Sequence, residues 1–123
     1  MRKFTDGHEW IEVQGSVGVV GVTAFAKKEL GDIVFIDLPE IGKVVKAGDE
    51  VVILESTKAA ADIYAPVSGT ITAVNTAIKD NPSLFNNSPE GEGWIYRMNI
   101  ALPHELDSLK THDEYAKMVT ESE

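Results

Sequence analysis

The chain contains no cysteine. Disulfides, thiolate metal sites and a cysteine nucleophile are therefore excluded. Positive charge is scarce, with 11 Lys and Arg against 20 Asp and Glu and a formal net charge of −9. Such a surface repels nucleic acid and anionic membrane, and it suits docking onto basic patches of protein partners. No apolar stretch approaches the roughly 20 residues of a membrane span. The opening Met1-Arg2-Lys3-Phe4-Thr5-Asp6 lacks an apolar run and turns acidic at once, so no signal or transit peptide is visible. We expect a cytoplasmic protein, although a mature organellar form would share this composition.

What is present suits one ordinary globular domain. The 123 residues are 43% hydrophobic and 25% charged, enough to bury roughly two thirds of the unfolded surface in a single core. His8 to Val13 alternates well enough for an edge strand, and Gln14-Gly15-Ser16 turns it into a second strand over Val17 to Val22. Thr23 can cap a short helix from Ala24 to Leu30 that Gly31 ends. Ile33 to Leu38 is a β-branched and aromatic run, best read as a central strand, and Val44-Val45 is a shorter one. Thr70 to Val74 and Trp94 to Ile100 alternate as half-buried strands, with a loop-like stretch from Asn75 to Gly93 between them. Pro103 can open a helical turn through Leu109, and Thr111 to Glu114 forms a capping box leading into Tyr115. The tail from Ala101 to Glu123 holds six acids and two lysines, about −4 of the total charge. Short strands at close spacing argue for a mainly β, two-sheet sandwich or barrel.

The most distinctive residue is Lys58, in the run Glu55-Ser56-Thr57-Lys58-Ala59-Ala60. It stands at the hinge of a hairpin between Val51-Val52-Ile53-Leu54 and Ile63-Tyr64-Ala65, bounded by turns at Gly48-Asp49 and Pro66 to Gly69. An exposed lysine in a turn is usually a solubilising charge. Ala59 and Ala60, however, are poor strand formers that packing alone does not explain. Small neighbours leave room for a modifying enzyme to close around a flexible, acylable amine.

Other chemistry fails on spacing. Gly15, Gly18 and Gly21 recur every third residue, which matches neither phosphate-binding glycine pattern. Ser56 has alanine three positions on, not the lysine of a Ser-x-x-Lys acyl-enzyme, and Ser68 lacks the leading glycine of a nucleophile elbow. His8, His104 and His112 are scattered, which argues against zinc. Asn86-Asn87-Ser88 is a chance glycosylation match in a chain without a secretion signal. The default for Glu9 is a strand-edge charge. Asp62, four residues past Lys58, is unusual in a strand, and it could hold a cation with Glu9 if both face a groove beside the hairpin; the default is that they are solvated. Trp94 and Tyr96, two apart, share a strand face, and core packing is the default for both.

These residues together resemble a known family. Gly31 to Val34, Leu38-Pro39-Glu40, Lys46 to Asp49, Glu55 to Ala60, Asp62 to Gly69, Asp80-Asn81-Pro82 and Gly91 to Trp94 resemble the H protein of the glycine cleavage system. His8-Glu9-Trp10 and Glu114-Tyr115 extend the likeness towards both ends. Biotin carriers would show Met on both sides of the lysine, and lipoyl domains of 2-oxo acid dehydrogenases usually show Asp-Lys-Ala.

The resemblance implies a barrel-sandwich hybrid of the lipoyl/biotinyl hammerhead type, with a short helix in its N-terminal half and C-terminal helices. It implies one domain over 1–123, with a carrier core about 17–99 and a helical tail about 103–120. Lys58 would hold lipoic acid in amide linkage. The protein would be no enzyme itself but would shuttle the aminomethyl group of glycine. The partners would be glycine decarboxylase (P protein), the aminomethyltransferase (T protein), dihydrolipoyl dehydrogenase (L protein) and a lipoate-attaching ligase or transferase, each visited by a monomer. Glu9 and Asp62 match carboxylates lining the family's arm cleft. An S-aminomethyl group is an N,S-acetal prone to hydrolysis, and a cleft that pairs its ammonium away from water would slow that loss. Thr57 stands where valine is commonest, Ala61 and Ala65 where serines are common, and Glu90 where tyrosine often sits. The alternatives are a lipoate relay to 2-oxo acid dehydrogenases, and an interaction module with Lys58 unmodified. Glu9 and Asp62 favour the shuttle.

Overall fold

The computed structural model describes residues 1–122, the backbone alone at Ser122, so that Glu123 in the expected domain and acidic tail lies outside the described residues. Its strands are β1 (Arg2–Phe4), β2 (Glu9–Gln14), β3 (Val17–Val22), β4 (Ile33–Asp37), β5 (Val44–Val45), β6 (Glu50–Ser56), β7 (Ala60–Tyr64), β8 (Gly69–Val74) and β9 (Tyr96–Ile100). They form two antiparallel sheets. The larger has the order β1-β2-β3-β9-β8-β5 and the smaller β4-β6-β7. Helices α1 (Ala24–Leu30), α2 (Thr76–Asp80), α3 (Ser83–Asn87) and α4 (His112–Ser122), with a 3-10 segment over Pro103–Ser108, join or follow the strands. This is the mainly β, two-sheet architecture the sequence suggests, and no described helix is long and apolar enough to cross a membrane.

The core lies between the sheets, where Ile11, Val20, Leu54, Ile71, Tyr96 and Met98 are fully or almost fully buried. Phe4, Trp10 and Tyr115 make a second cluster that seats α4 against the outer side of β1 and β2. Gly21 is small because its cross-strand partner is Trp10: a Cβ there would lie 2.7 Å from the indole. The indole NH donates to the carbonyls of Val22 and Pro89, as a buried tryptophan requires.

Several local expectations hold at atomic detail. The Thr23 hydroxyl accepts from the Ala26 amide at the start of α1, and Gly31 ends the helix at φ 83°. The Thr111 hydroxyl accepts from the Glu114 amide while the Glu114 carboxylate accepts from the Thr111 amide, a complete capping box. Other expectations do not hold. β2 is an interior strand, because β1 pairs on its far side. β4 is an edge strand and not a central one, and an irregularity between Ile33 and Phe35 leaves both Val34 and Phe35 exposed. The stretch 75–93 contains two five-residue helices that are too short to show a periodic pattern. The Asn86 side chain in α3 accepts from the Ile33 amide and donates to the Ile33 carbonyl, imitating a strand neighbour for β4. That gives this asparagine a structural role.

Trp94 and Tyr96 do not share a face. The strand begins only at Tyr96; Trp94 precedes it, packs with the Trp10 cluster and carries Arg97 over its ring, while Tyr96 enters the main core.

Candidate functional site

The hairpin of β6 and β7 places Lys58 at its tip, exposed, between Thr57 and Ala59, which are exposed too. Ser56 shapes the turn. Its hydroxyl accepts from the amides of Lys58 and Ala59 and lies 3.3 Å from the Ala59 carbonyl, to which it donates. The Ser56 amide also donates to that carbonyl. One short side chain therefore satisfies the backbone of the reversal and leaves the lysine stem free. With Ala60 exposed as well, the tip offers no bulky group to an approaching enzyme.

β7 runs from that tip to Tyr64. It is an outer strand of the smaller sheet, so the backbone groups on its far side find no strand partner. At ~3.3 Å rise per residue, Asp62 lies about 7 Å and Tyr64 about 13 Å along it from Ala60, the first strand residue after the tip. There the strand meets Glu9. The Tyr64 amide donates to Glu9 Oε2 at 3.4 Å, and the Thr5 hydroxyl donates to Oε1. The Glu9 amide returns a bond to the Thr5 hydroxyl at 3.0 Å.

Glu9 is no strand-edge charge. It is only 3% exposed and stands in register with Val22, on the same inward side as Ile11. Burial raises its pKa above the ordinary 4.5, opposed by the hydrogen bonds from Thr5 and Tyr64 and by His8 nearby. Among the described residues it forms no salt bridge. It lines a cavity of about 370 Å³ with Phe4, Gly7, Tyr64, Pro66 and Lys110. At its rim Lys110 pairs with Asp6 at 3.3 Å.

Asp62 is exposed and lines a separate cavity of about 340 Å³ with His8, Phe25 and Leu30. The two carboxylates line adjoining cavities that meet at Gly7. Behind them Tyr96 has a phenol with no hydrogen-bond partner among the described residues, its pKa pushed far up by burial and by the Glu9 charge.

Sequence reasoning missed Thr5 and Tyr115. The Tyr115 phenol is 2.7 Å from His8 Nδ1 and 2.7 Å from the Thr23 hydroxyl, tying α4 to the cavity wall. His8 itself adopts φ 70°, uncommon for a residue with a side chain. Burial raises the Tyr115 pKa too. The polarity of residue 115 gave no hint of this, because its two partners are 92 and 107 residues away in the chain. Glu90 accepts from the Ala24 amide and pairs with Arg2, so it supplies the acid that the first turn of α1 lacks.

A lysine displayed by a tight hairpin on a two-sheet barrel-sandwich core defines the class: a carrier domain of the lipoyl and biotinyl kind. A sequence model described as glycine cleavage H-protein matches residues 2–122. The chain is similar to the glycine cleavage system H proteins of Methylacidiphilum infernorum, 48% identical over 99% of this chain and 95% of that one, and of Thermotoga maritima, 47% identical over 94% and 93%. It superposes on a crystal structure of a glycine cleavage system H protein from Mycobacterium marinum with a TM-score of 0.87, at 40% identity over 95% of this chain and 94% of that one.

The chain belongs to the glycine cleavage H-protein family. It is a non-catalytic lipoyl carrier of glycine cleavage, bearing lipoate covalently on a lysine and working with the P, T and L proteins of that system.

Proposed function

We propose that Lys58 is the lysine that bears the lipoyl group, and that Glu9 and Asp62 line the path on which the arm rests between enzymes. One observation carries this: the strand leaving the exposed Lys58 ends on a buried carboxylate that forms no salt bridge among the described residues. Bound at Lys58, lipoate supplies the dithiolane that accepts the aminomethyl group of glycine. The chain supplies the rest. Ser56 and the small Ala59 and Ala60 present the amine to the attaching ligase or transferase. Asp62 provides an exposed negative charge part-way along β7. Glu9 offers its carboxylate to a cationic cargo from a buried position, where a charge pair is worth more than in bulk solvent.

A buried carboxylate with no salt-bridge partner among the described residues favours the shuttle over the relay and over an unmodified module, neither of which needs one. We propose that the protein is a cytoplasmic, monomeric single domain. The test is Lys58→Arg, which should abolish lipoylation and glycine decarboxylation coupling without unfolding the domain. Lipoylation persisting in that variant would contradict the assignment.

A further inference from the structure

We propose that Asp6 and Gly7 form a spontaneous modification site, at which Asp6 converts to isoaspartate and opens the turn between β1 and β2. The site needs no lipoyl group and stands apart from the role given to Glu9.

The chemistry starts from the sequence. Among the aspartates and asparagines of the chain, Asp6 alone is followed by glycine. Glycine leaves the main-chain amide after the carboxyl group unshielded by any side chain. The Gly7 nitrogen can then attack Asp6 Cγ. A bond forms between them, the carboxyl C–OH bond breaks, and the amide proton leaves with the hydroxyl as water. The product is a five-membered succinimide. Water then adds to one ring carbonyl and breaks its bond to nitrogen. Addition at Cγ restores aspartate. Addition at the main-chain carbonyl leaves isoaspartate, with the backbone running through Cβ and Cγ. Water is the only co-reactant, and no electrons change hands.

The fold leaves this reaction open at Asp6. Its side chain is 82% exposed, and its one ion-pair partner among the described residues is Lys110, 3.3 Å away. The Gly7 amide donates to no acceptor among the described residues, so no hydrogen bond has to break before it attacks. Both residues lie in a turn, outside any helix or strand. Asn87-Ser88 is the internal comparison, an exposed asparagine before a small residue. There the Ser88 amide donates to the Leu84 carbonyl at 3.2 Å, at the end of α3. That bond holds the attacking nitrogen, and Asn87 stays intact. Packing also retains the reactive pair. A Cβ on Gly7 would lie 3.0 Å from each Glu9 carboxylate oxygen, closer than an ordinary contact.

The product does not fit the turn. Two bonds close it, from the Thr5 amide to the Glu9 carbonyl at 3.0 Å and from the His8 amide to the Thr5 carbonyl at 3.2 Å. Isoaspartate lengthens the main chain by one methylene inside that loop. The free carboxylate then stands directly on Cα, one carbon shorter, and retreats from Lys110. It is the group that S-adenosylmethionine-dependent repair enzymes methylate on isoaspartyl residues, which names the class of enzyme that would act here.

The test uses protein aged for several weeks in neutral buffer at physiological temperature. Isoaspartate is located by electron-transfer fragmentation of its peptides. The total is counted by methyl transfer from labelled S-adenosylmethionine with a purified L-isoaspartyl methyltransferase. Wild type should accumulate isoaspartate at Asp6 and none at Asn87. Asp6→Glu, whose ring would have six members, should lose the signal, and Asp6→Asn, which expels ammonia, should react severalfold faster. The isomerised fraction, separated by chromatography, should exchange the Thr5 and His8 amides faster than the intact one. No isoaspartate at Asp6, a signal that survives in Asp6→Glu, or earlier reaction at Asn87 overturns the site. Isoaspartate at Asp6 with unchanged exchange at Thr5 and His8 overturns the opening of the turn.

Discussion

The Tyr64 amide, on the outer strand of the lysine hairpin, donates to the Glu9 carboxylate on the inner face of the other sheet. That bond spans the seam between the sheets and links the strand that leaves Lys58 to the buried acid. It makes Glu9 a structural clasp beside the cargo-sheltering role proposed for it, and the two separate under test.

The chemical role predicts that Glu9→Gln shortens the lifetime of the cargo-loaded form. The amide keeps an oxygen to accept from one donor but loses the charge that an ammonium requires. Losing a charge-assisted contact costs about 1–3 kcal/mol, so release without T protein should quicken by at least about fivefold. A rate equal to wild type would remove Glu9 from the sheltering role.

The structural role predicts a pH signature. Burial holds the Glu9 pKa above 4.5 in the folded protein. The folded state thus binds this proton more tightly than the unfolded chain does, and stability falls as pH rises from 4.5 through the raised value. The Glu9→Gln variant has no such proton. Denaturant titrations across that interval should show the stability of this variant gaining on wild type as pH rises. Glu12 and Glu114, both lowered by their hydrogen-bond partners, weaken the fold as pH falls, equally in the two proteins. A constant difference between the two curves would mean that Glu9 is not desolvated.

Ser56→Ala should impair attachment more than stability. It removes the acceptor for the Lys58 and Ala59 amides at an exposed site, where water replaces it at a cost of about 1 kcal/mol or less. The lipoylation rate with a purified attaching enzyme should drop severalfold while the melting temperature stays close to wild type. An unchanged rate would show that the ligase does not read the turn geometry.

Tyr115→Phe should loosen α4. The phenol joins His8 to Thr23, which also caps α1. Leaving two partners unsatisfied costs about 1–3 kcal/mol, and hydrogen exchange should rise in α4 and in the 5–8 turn together. Exchange confined to α4 would mean that the helix and the cavity wall are not coupled.

Much of this was legible in the residues themselves. The Lys58 hairpin, the Thr23 and Thr111 caps and the short β5 are set by local turn chemistry and propensity, which a single sequence carries. Glu9 was not legible as a buried group, because a carboxylate on an inward position looks like a lapse in alternation until the facing strand and cavity are known. The edge position of β4 and the interior position of β2 depend on pairings with distant strands. Thr5 was invisible for the same reason: its importance comes from where the turn aims one hydroxyl. The separation of Asp62 from Glu9 into adjoining cavities is likewise a product of the fold.

The most direct test is peptide mapping by mass spectrometry of the protein purified from lipoate-replete cells. The account predicts a single lipoyl amide, on the peptide containing Glu55 to Ala60 and localised to Lys58. A lipoyl group on any other lysine, or an unmodified chain alongside lipoylated partner proteins from the same cells, would contradict it.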